Sequence, residues 1–231
     1  VVRLIGGVAA VNLLGCGGDS GTAPTTSATP TPSPSGATGT CVVRPQQTEG
    51  PYFVDERLNR SDIRSDPASG VVRPGTPLRL GFRVSRLQGG ACSALAAAMV
   101  DVWHCDALGV YSDASDMGFN TVGQKFLRGF QTTDASGLAQ FTTIYPGWYS
   151  GRAVHIHFKI RVGSSQFTSQ LYFEESLTDQ VHAQSPYTGK GRRNTTNAQD
   201  GIYQGGGNQL LLSAAPEGAG YGATFDVALQ L

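Results

Sequence analysis

Val154-His155-Ile156-His157-Phe158-Lys159-Ile160-Arg161-Val162 alternates apolar and polar residues over its whole length. Residues two apart on an extended strand point to the same side. Val154, Ile156 and Phe158 therefore face a core, and His155 and His157 project together from the opposite face. Two imidazoles on one face form half of a metal site, and these are two of four histidines in the chain. A His-x-His pair alone does not separate a metal site from a chance pair on a wet surface.

Five further segments repeat the strand pattern, at residues 76–84, 98–103, 138–144, 168–173 and 221–231. Turn residues divide them, as in Gly89-Gly90 and Asp134-Ala135-Ser136-Gly137. No long segment has a helical period; residues 178–183 are read as a short helix, and the Gly/Asn/Arg/Gln-rich stretch 185–207 as a long surface loop. The pattern predicts an all-β chain, an antiparallel β-sandwich with long loops and little helix.

The rest of the composition bounds the function. A chain of 231 residues suits one domain with tails. Seventeen basic and seventeen acidic residues cancel, so there is no basic field to hold nucleic acid. Arg3 precedes an apolar run over residues 4–14, which is shorter than the ~20 residues that span a bilayer and fits an export signal. Leu13-Leu14-Gly15-Cys16 resembles a bacterial lipobox, so residues 1–16 are read as an export signal that ends at a lipidated Cys16. Residues 17–40, rich in Thr, Ser, Pro and Gly, cannot bury enough surface to order. They are read as a tether, with a folded domain over 41–231, and the expected location is exported, at the cell surface or membrane through a lipid anchor alone, and otherwise secreted. Export implies an oxidising compartment. Cys92 and Cys105 flank a predicted strand, so Cys41 is expected to pair with one of them; the sequence does not choose which.

The histidine strand gains meaning from what precedes it. Pro146-Gly147-Trp148-Tyr149-Ser150-Gly151-Arg152 leads into it through a turn, and Trp103-His104-Cys105-Asp106-Ala107-Leu108-Gly109-Val110-Tyr111 ends another strand with a tyrosine in a polar loop. With Thr48-Glu49-Gly50-Pro51-Tyr52 upstream and Gln170-Leu171-Tyr172-Phe173 downstream, these ordered motifs resemble the intradiol ring-cleavage dioxygenases. The likeness is to the protocatechuate 3,4-dioxygenase type and its exported single-chain relatives, and it runs from about Gln47 to Leu231. The dimeric catechol 1,2-dioxygenases carry a helical N-terminal domain that the residues before Cys41 do not resemble.

The resemblance implies one non-haem iron(III) per chain, held by Tyr111, Tyr149, His155 and His157. It implies a catechol-type substrate and dioxygen as partners, and cis,cis-muconate-type products. The donor chemistry is consistent with it. Phenolate is a hard anionic donor; the free phenol has a pKa near ~10, and a bound cation ionises it as it ionises bound water. Two phenolates offset two of the three ferric charges. By the same resemblance Tyr149 doubles as a displaceable base while Tyr111 stays a fixed ligand. Arg152 stabilises the electron-rich ring, Gln170 orients the oxygen or the arginine, and Thr48, Gly50, Pro51, Tyr52 and Trp148 line the substrate pocket. His104 is read as structural, His182 as a loop or pocket-rim residue, Arg192 and Arg193 as solvated, and Tyr145, Tyr172, Tyr187, Tyr203 and Tyr221 as packing residues. The rival reading is a transthyretin-like, non-catalytic β-sandwich binding module, which shares the Thr133-Asp134-x-x-Gly137 to Pro146-Gly147 pattern but has no use for the two tyrosines and two histidines together.

Overall fold

The computed structural model describes residues 41–231; the expected export signal, Cys16 and the 17–40 tether lie outside them. Strands dominate in the order β1 (Pro77–Gln88), β2 (Ala91–Ala94), β3 (Met99–Trp103), β4 (Ser115–Asp116), β5 (Phe119–Asn120), β6 (Arg128–Thr132), β7 (Leu138–Ile144), β8 (His155–Val162), β9 (Ser165–Tyr172), β10 (Ala215–Glu217) and β11 (Gly220–Gln230). A helix α1 (Glu175–His182) and a single turn α2 (Gly201–Gln204) follow β9. Every segment read as a strand is one, and the short helix is present, beginning three residues earlier than its predicted start at 178.

Two sheets pack face to face. One is β6-β3-β8-β9 and the other β10-β11-β1-β2, with β7 also on β1. The twelve-residue β1 is long enough to pair with β7 through its first half and β2 through its end. Its other edge meets β11 in parallel, from Leu78↔Tyr221 to Leu87↔Gln230. This ladder departs from the expected antiparallel pattern, because side-chain alternation reports a strand and a face but not a direction. The sheets meet on Phe82, whose ring lies 5.1 Å from Phe158 and 6.2 and 6.4 Å from Phe141 and Phe225. Tilted and edge-on contacts of this kind are favoured by the ring quadrupoles and bury large apolar areas.

Cys41 pairs with Cys92, 51 residues away, and Cys105 is left free and buried. Closing a loop of that length stabilises by roughly 4 kcal/mol if the effect is wholly unfolded-state entropy.

Ile156, Phe158 and Ile160 fill the core as read, but His155, His157 and Lys159 on the other face are buried too. The chain before β1 covers that face. Gln47 N–H donates to Thr168 O (3.0 Å), Arg60 N–H to Phe130 O (3.1 Å) and Ile63 N–H to Thr142 O (3.0 Å). Ion pairs fasten the cover: Lys159 to Glu49, and Arg161 to both Asp55 and Asp101. The stretch 185–207 is also more than a surface loop, since Tyr187 and Asp200 within it are 1% exposed. Tyr187 OH donates to Tyr145 O (2.7 Å) and accepts from Thr76 N–H (2.9 Å).

Candidate functional site

His155 and His157 stand on the covered face of β8, flanked by the strands paired to it. Trp103 of β3 lies opposite His157 in register and stacks flat on it, 5.0 Å between centroids at 7°. Gln170 of β9 is opposite His157, and Tyr172 opposite His155. The tyrosines arrive from two loops. After β3, Asp106 closes a tight turn by accepting from Leu108 N–H (2.9 Å) and Val110 N–H (3.0 Å), which delivers Tyr111. Between β7 and β8, Pro146 to Arg152 delivers Tyr149. Gly147 N–H donates to Asp106 O (3.1 Å), joining the two loops.

The polar atoms of these residues converge. His155 Nδ1–H donates to Ala153 O (2.6 Å), which fixes the tautomer and leaves Nε2 as a lone pair. That nitrogen faces His157 Nε2 at 3.0 Å and the Tyr111 oxygen at 3.4 Å. The Tyr149 hydroxyl meets that of Tyr111 and lies 3.4 Å from Arg152 Nη1. Among the described residues no group of three or more His, Cys, Asp or Glu converges in this way; the convergent donor set is two tyrosines and two histidines.

Burial sets the electrostatics. Desolvation, helped by the Arg152 charge, pushes His155 down to about 3, and desolvation with the neighbouring His155 holds His157 well below its ordinary value. Both rings are thus neutral, the form that binds a metal. Burial also raises Tyr111 well above an ordinary phenol, and raises Tyr149 against the opposing pull of Arg152. Without a cation the site is a cluster of neutral groups, with the His155 Nε2 lone pair aimed at His157 Nε2 and the Tyr111 oxygen, an arrangement a cation would satisfy. The donor set fits a hard trivalent ion in one more respect: two of its four donors are phenols, which a bound cation would ionise. The support behind the two histidines is uneven, because His157 Nδ1 is buried without a partner. Its ring is held by Trp103 and by the close approach of Gly50, where a Cβ would come within 3.0 Å of His157 Cε1.

The pocket residues divide. Thr48 O accepts from Gln170 Nε2–H (2.9 Å). Gly50 lies over His157, and the Tyr52 ring stacks on Tyr111 at 4.3 Å and stands edge-on to Tyr149 at 6.1 Å. The Tyr52 hydroxyl donates to Asp116 on the β4–β5 hairpin. Pro51 is exposed beside them. Trp148 packs instead against the main core and donates its indole N–H to Gly191 O (3.1 Å).

Arg152 is half-buried and fully engaged. Nη2–H donates to Gln170 Oε1 (2.6 Å) and Nε–H to Asp200 Oδ2 (2.9 Å). Asp200 falls in the stretch read as surface loop, and the sequence reading did not find it. Its available signal was Gln199-Asp200-Gly201, an N-cap residue before a short helix. Tyr172, read as packing, donates its hydroxyl within this network, where Gln47 Oε1 (2.8 Å) and Gln170 Oε1 (3.1 Å) are the acceptors in reach.

The remaining histidines are structural. His104 points to the opposite sheet, with Nδ1–H donating to Cys105 O (2.8 Å) and Nε2 paired with Thr143 Oγ1 (2.7 Å). His182 ends α1, stacks on Tyr187 and donates to Pro146 O (3.1 Å), bracing the Tyr149 loop from behind. Arg192 is exposed, and Arg193 is paired with Glu175 and Asp179.

A family model described as dioxygenase matches residues 48–192. A chlorocatechol 1,2-dioxygenase of Pseudomonas putida is 31% identical over 99 residues, covering 35% of this chain and 36% of that protein. Catechol 1,2-dioxygenase 2 of Acinetobacter lwoffii is 30% identical over 153 residues, covering 55% and 50%. The chain thus spans a half or less of the length of these two curated relatives. Among solved structures, an intradiol ring-cleavage dioxygenase from Tetranychus urticae superposes with a TM-score of 0.74 at 28% identity, covering 82% of this chain and 95% of that one. With the family model spanning more than half of its residues, the chain belongs to the intradiol ring-cleavage dioxygenases, the catechol 1,2-dioxygenase family.

Proposed function

We propose that this protein is a ferric intradiol dioxygenase that opens catechol-type rings with dioxygen to cis,cis-muconate-type products. One iron(III) per chain is held by Tyr111, Tyr149, His155 and His157. The observation that carries this reading is the convergence of those four donors on one buried face, with Arg152 at the edge of Tyr149. When bound, the ferric ion supplies Lewis acidity to ionise the diol and covalency that makes the ring reactive toward dioxygen.

The chain's own residues divide the remaining work. Tyr111 is 1% exposed and lies under Tyr52, so it stays in place. Tyr149 is only half-buried and hydrogen-bonded to Arg152; its oxygen, which a bound cation would hold as the phenolate, takes a proton from the incoming diol. Arg152 presents its Nη1 edge to charge that develops on the substrate oxygens. Gln170, fully buried, fixes Arg152 through Oε1 and the 48–52 segment through Nε2. Gly50 and Tyr52 shape the space above the donors and exclude water from it.

Protein loaded with ferric iron is expected to be burgundy from phenolate-to-iron charge transfer. Anaerobic catechol is expected to shift that band, and admitted air to consume one dioxygen per catechol. A colourless protein that retains no iron sinks this reading.

We further propose that the enzyme is exported and anchored through a lipid on Cys16. The Cys41–Cys92 bond supports an oxidising compartment, and the lipobox-like residues 13–16 support the anchor. Cys16→Ser is expected to move the protein from the membrane to the soluble fraction; unchanged fractionation refutes the anchor.

A further inference from the structure

We propose that Asp200 is a positioning residue that fixes the Arg152 guanidinium against the diol-binding side of the site. The proposal rests on the dioxygenase reading for its catalytic consequence, but not for its geometry.

Two edges of the guanidinium are committed. Nε–H is held by Asp200 Oδ2 at 2.9 Å and Nη2–H by Gln170 Oε1 at 2.6 Å, which leaves Nη1 turned toward the Tyr149 oxygen at 3.4 Å. A planar fork held on two edges has a single orientation. Releasing Asp200 removes the charged acceptor and leaves only the neutral Gln170 Oε1 and the long contact to the Tyr149 oxygen, a weaker hold on the plane.

The two carboxylate oxygens of Asp200 have separate duties. Oδ1 caps α2, accepting from Ile202 N–H (2.7 Å) and Tyr203 N–H (3.3 Å). Oδ2 accepts from Arg152 and also from Ala153 N–H (2.8 Å). Ala153 is the residue whose carbonyl fixes the His155 tautomer, so one oxygen holds the backbone between the arginine and the first histidine. Capping alone does not account for the residue. Asn or Ser caps a helix as well as Asp does, and a carboxylate that is 1% exposed is costly unless a cation faces it. The cation it faces is Arg152, whose side chain is 14% exposed. The network also closes on itself. Gln47 accepts from Tyr172 OH and donates through Nε2 to Ile202 O (2.8 Å), beside the Asp200 cap. The pieces that enclose the donors are thereby tied to Arg152 through Asp200.

Asp200→Asn and Asp200→Ser keep a helix cap and remove the charge, which makes them the informative variants. In the iron-loaded full chain, Asp200→Asn is expected to lower kcat by roughly 10- to 100-fold, with the catechol KM within about threefold and the charge-transfer band unchanged. In an Arg152→Ala background the same substitution is expected to change kcat by less than about twofold, because its target is already gone. A cap-only role predicts an equal fold-loss in both backgrounds, or none in either, and each of those results overturns the proposal.

A second readout needs no turnover. In apo-protein, the Arg152 Nε–H proton should exchange slowly by NMR in the wild type and rapidly in Asp200→Ser. Slow exchange in both overturns the proposal even if the chain proves to hold no iron, whereas loss of iron alone overturns only the dioxygenase reading.

Discussion

Tyr111→Phe is expected to strip the protein of iron and colour while leaving its fold intact. The substitution removes one oxygen from a ring that is 1% exposed, stacked under Tyr52 and clustered with Trp103 and Cys105. Volume is almost conserved, so packing changes little. The deleted hydroxyl contacts only His155 Nε2, at 3.4 Å, and the Tyr149 hydroxyl, so the apo-protein should melt within about 1 kcal/mol of the wild type. The loaded protein behaves differently. Tyr111 is the more buried of the two phenolates, and its ionisation needs the cation, since burial otherwise raises its pKa well above an ordinary phenol. Without it, one anionic donor faces three ferric charges. Iron retention against a chelator should fall more than about 100-fold, beyond the effect typical of losing a hydrogen-bond partner of a ligand, and the visible band should collapse. If the Phe variant holds iron and colour like the wild type, the ligand assignment is wrong.

The same residues show which parts of the molecule a sequence discloses. Alternation in residues 154–162 predicts both the strand and the shared direction of the histidines, because that inference needs only the geometry of one strand. It does not show that the face is covered, because the cover comes from residues 47–63, which have little regular structure and no periodicity. β6 escapes for a related reason. Arg128-Gly129-Phe130-Gln131-Thr132 has a single large apolar residue and is not among the segments read as strands, yet its arginine is buried, held by Ser112 Oγ at 2.7 Å. The tyrosines are legible only through motif resemblance, since nothing local distinguishes Tyr111 from Tyr145. Asp200 is harder still. Its cap signal is local, but its partner Arg152 lies 48 residues away and depends on how the excursion after β9 folds back. The Cys41–Cys92 pairing needed the same long-range information.

Gly147→Ala is expected to cost more than about 3 kcal/mol of stability and, in whatever fraction still folds, to weaken the iron band. A Cβ at this position would lie 2.4 Å from Ala107 O and 2.6 Å from Asp106 O. Both are backbone atoms, so no flexible side chain can yield. The contact lies where the loop carrying Tyr149 crosses the turn that delivers Tyr111, and Gly147 N–H donates to Asp106 O at the crossing. Gly109 meets Trp148 O from the other side of the same crossing, where its own Cβ would come within 2.1 Å. Two glycines thus let two backbones touch, and that touch sets the separation of the phenol oxygens. Forcing the loops apart by even part of a methyl diameter moves both donors relative to the histidines on β8, which the sheet holds still. Two measurements separate these effects: the urea midpoint reports the packing loss, and the charge-transfer band at temperatures where the variant is folded reports the displaced phenolates. Ser150→Ala, one residue beyond Tyr149 on the exposed rim, is the matched control and should change the stability read from the urea transition by less than about 0.5 kcal/mol. If Gly147→Ala melts and absorbs like that control, the two tyrosine loops are not held by this contact.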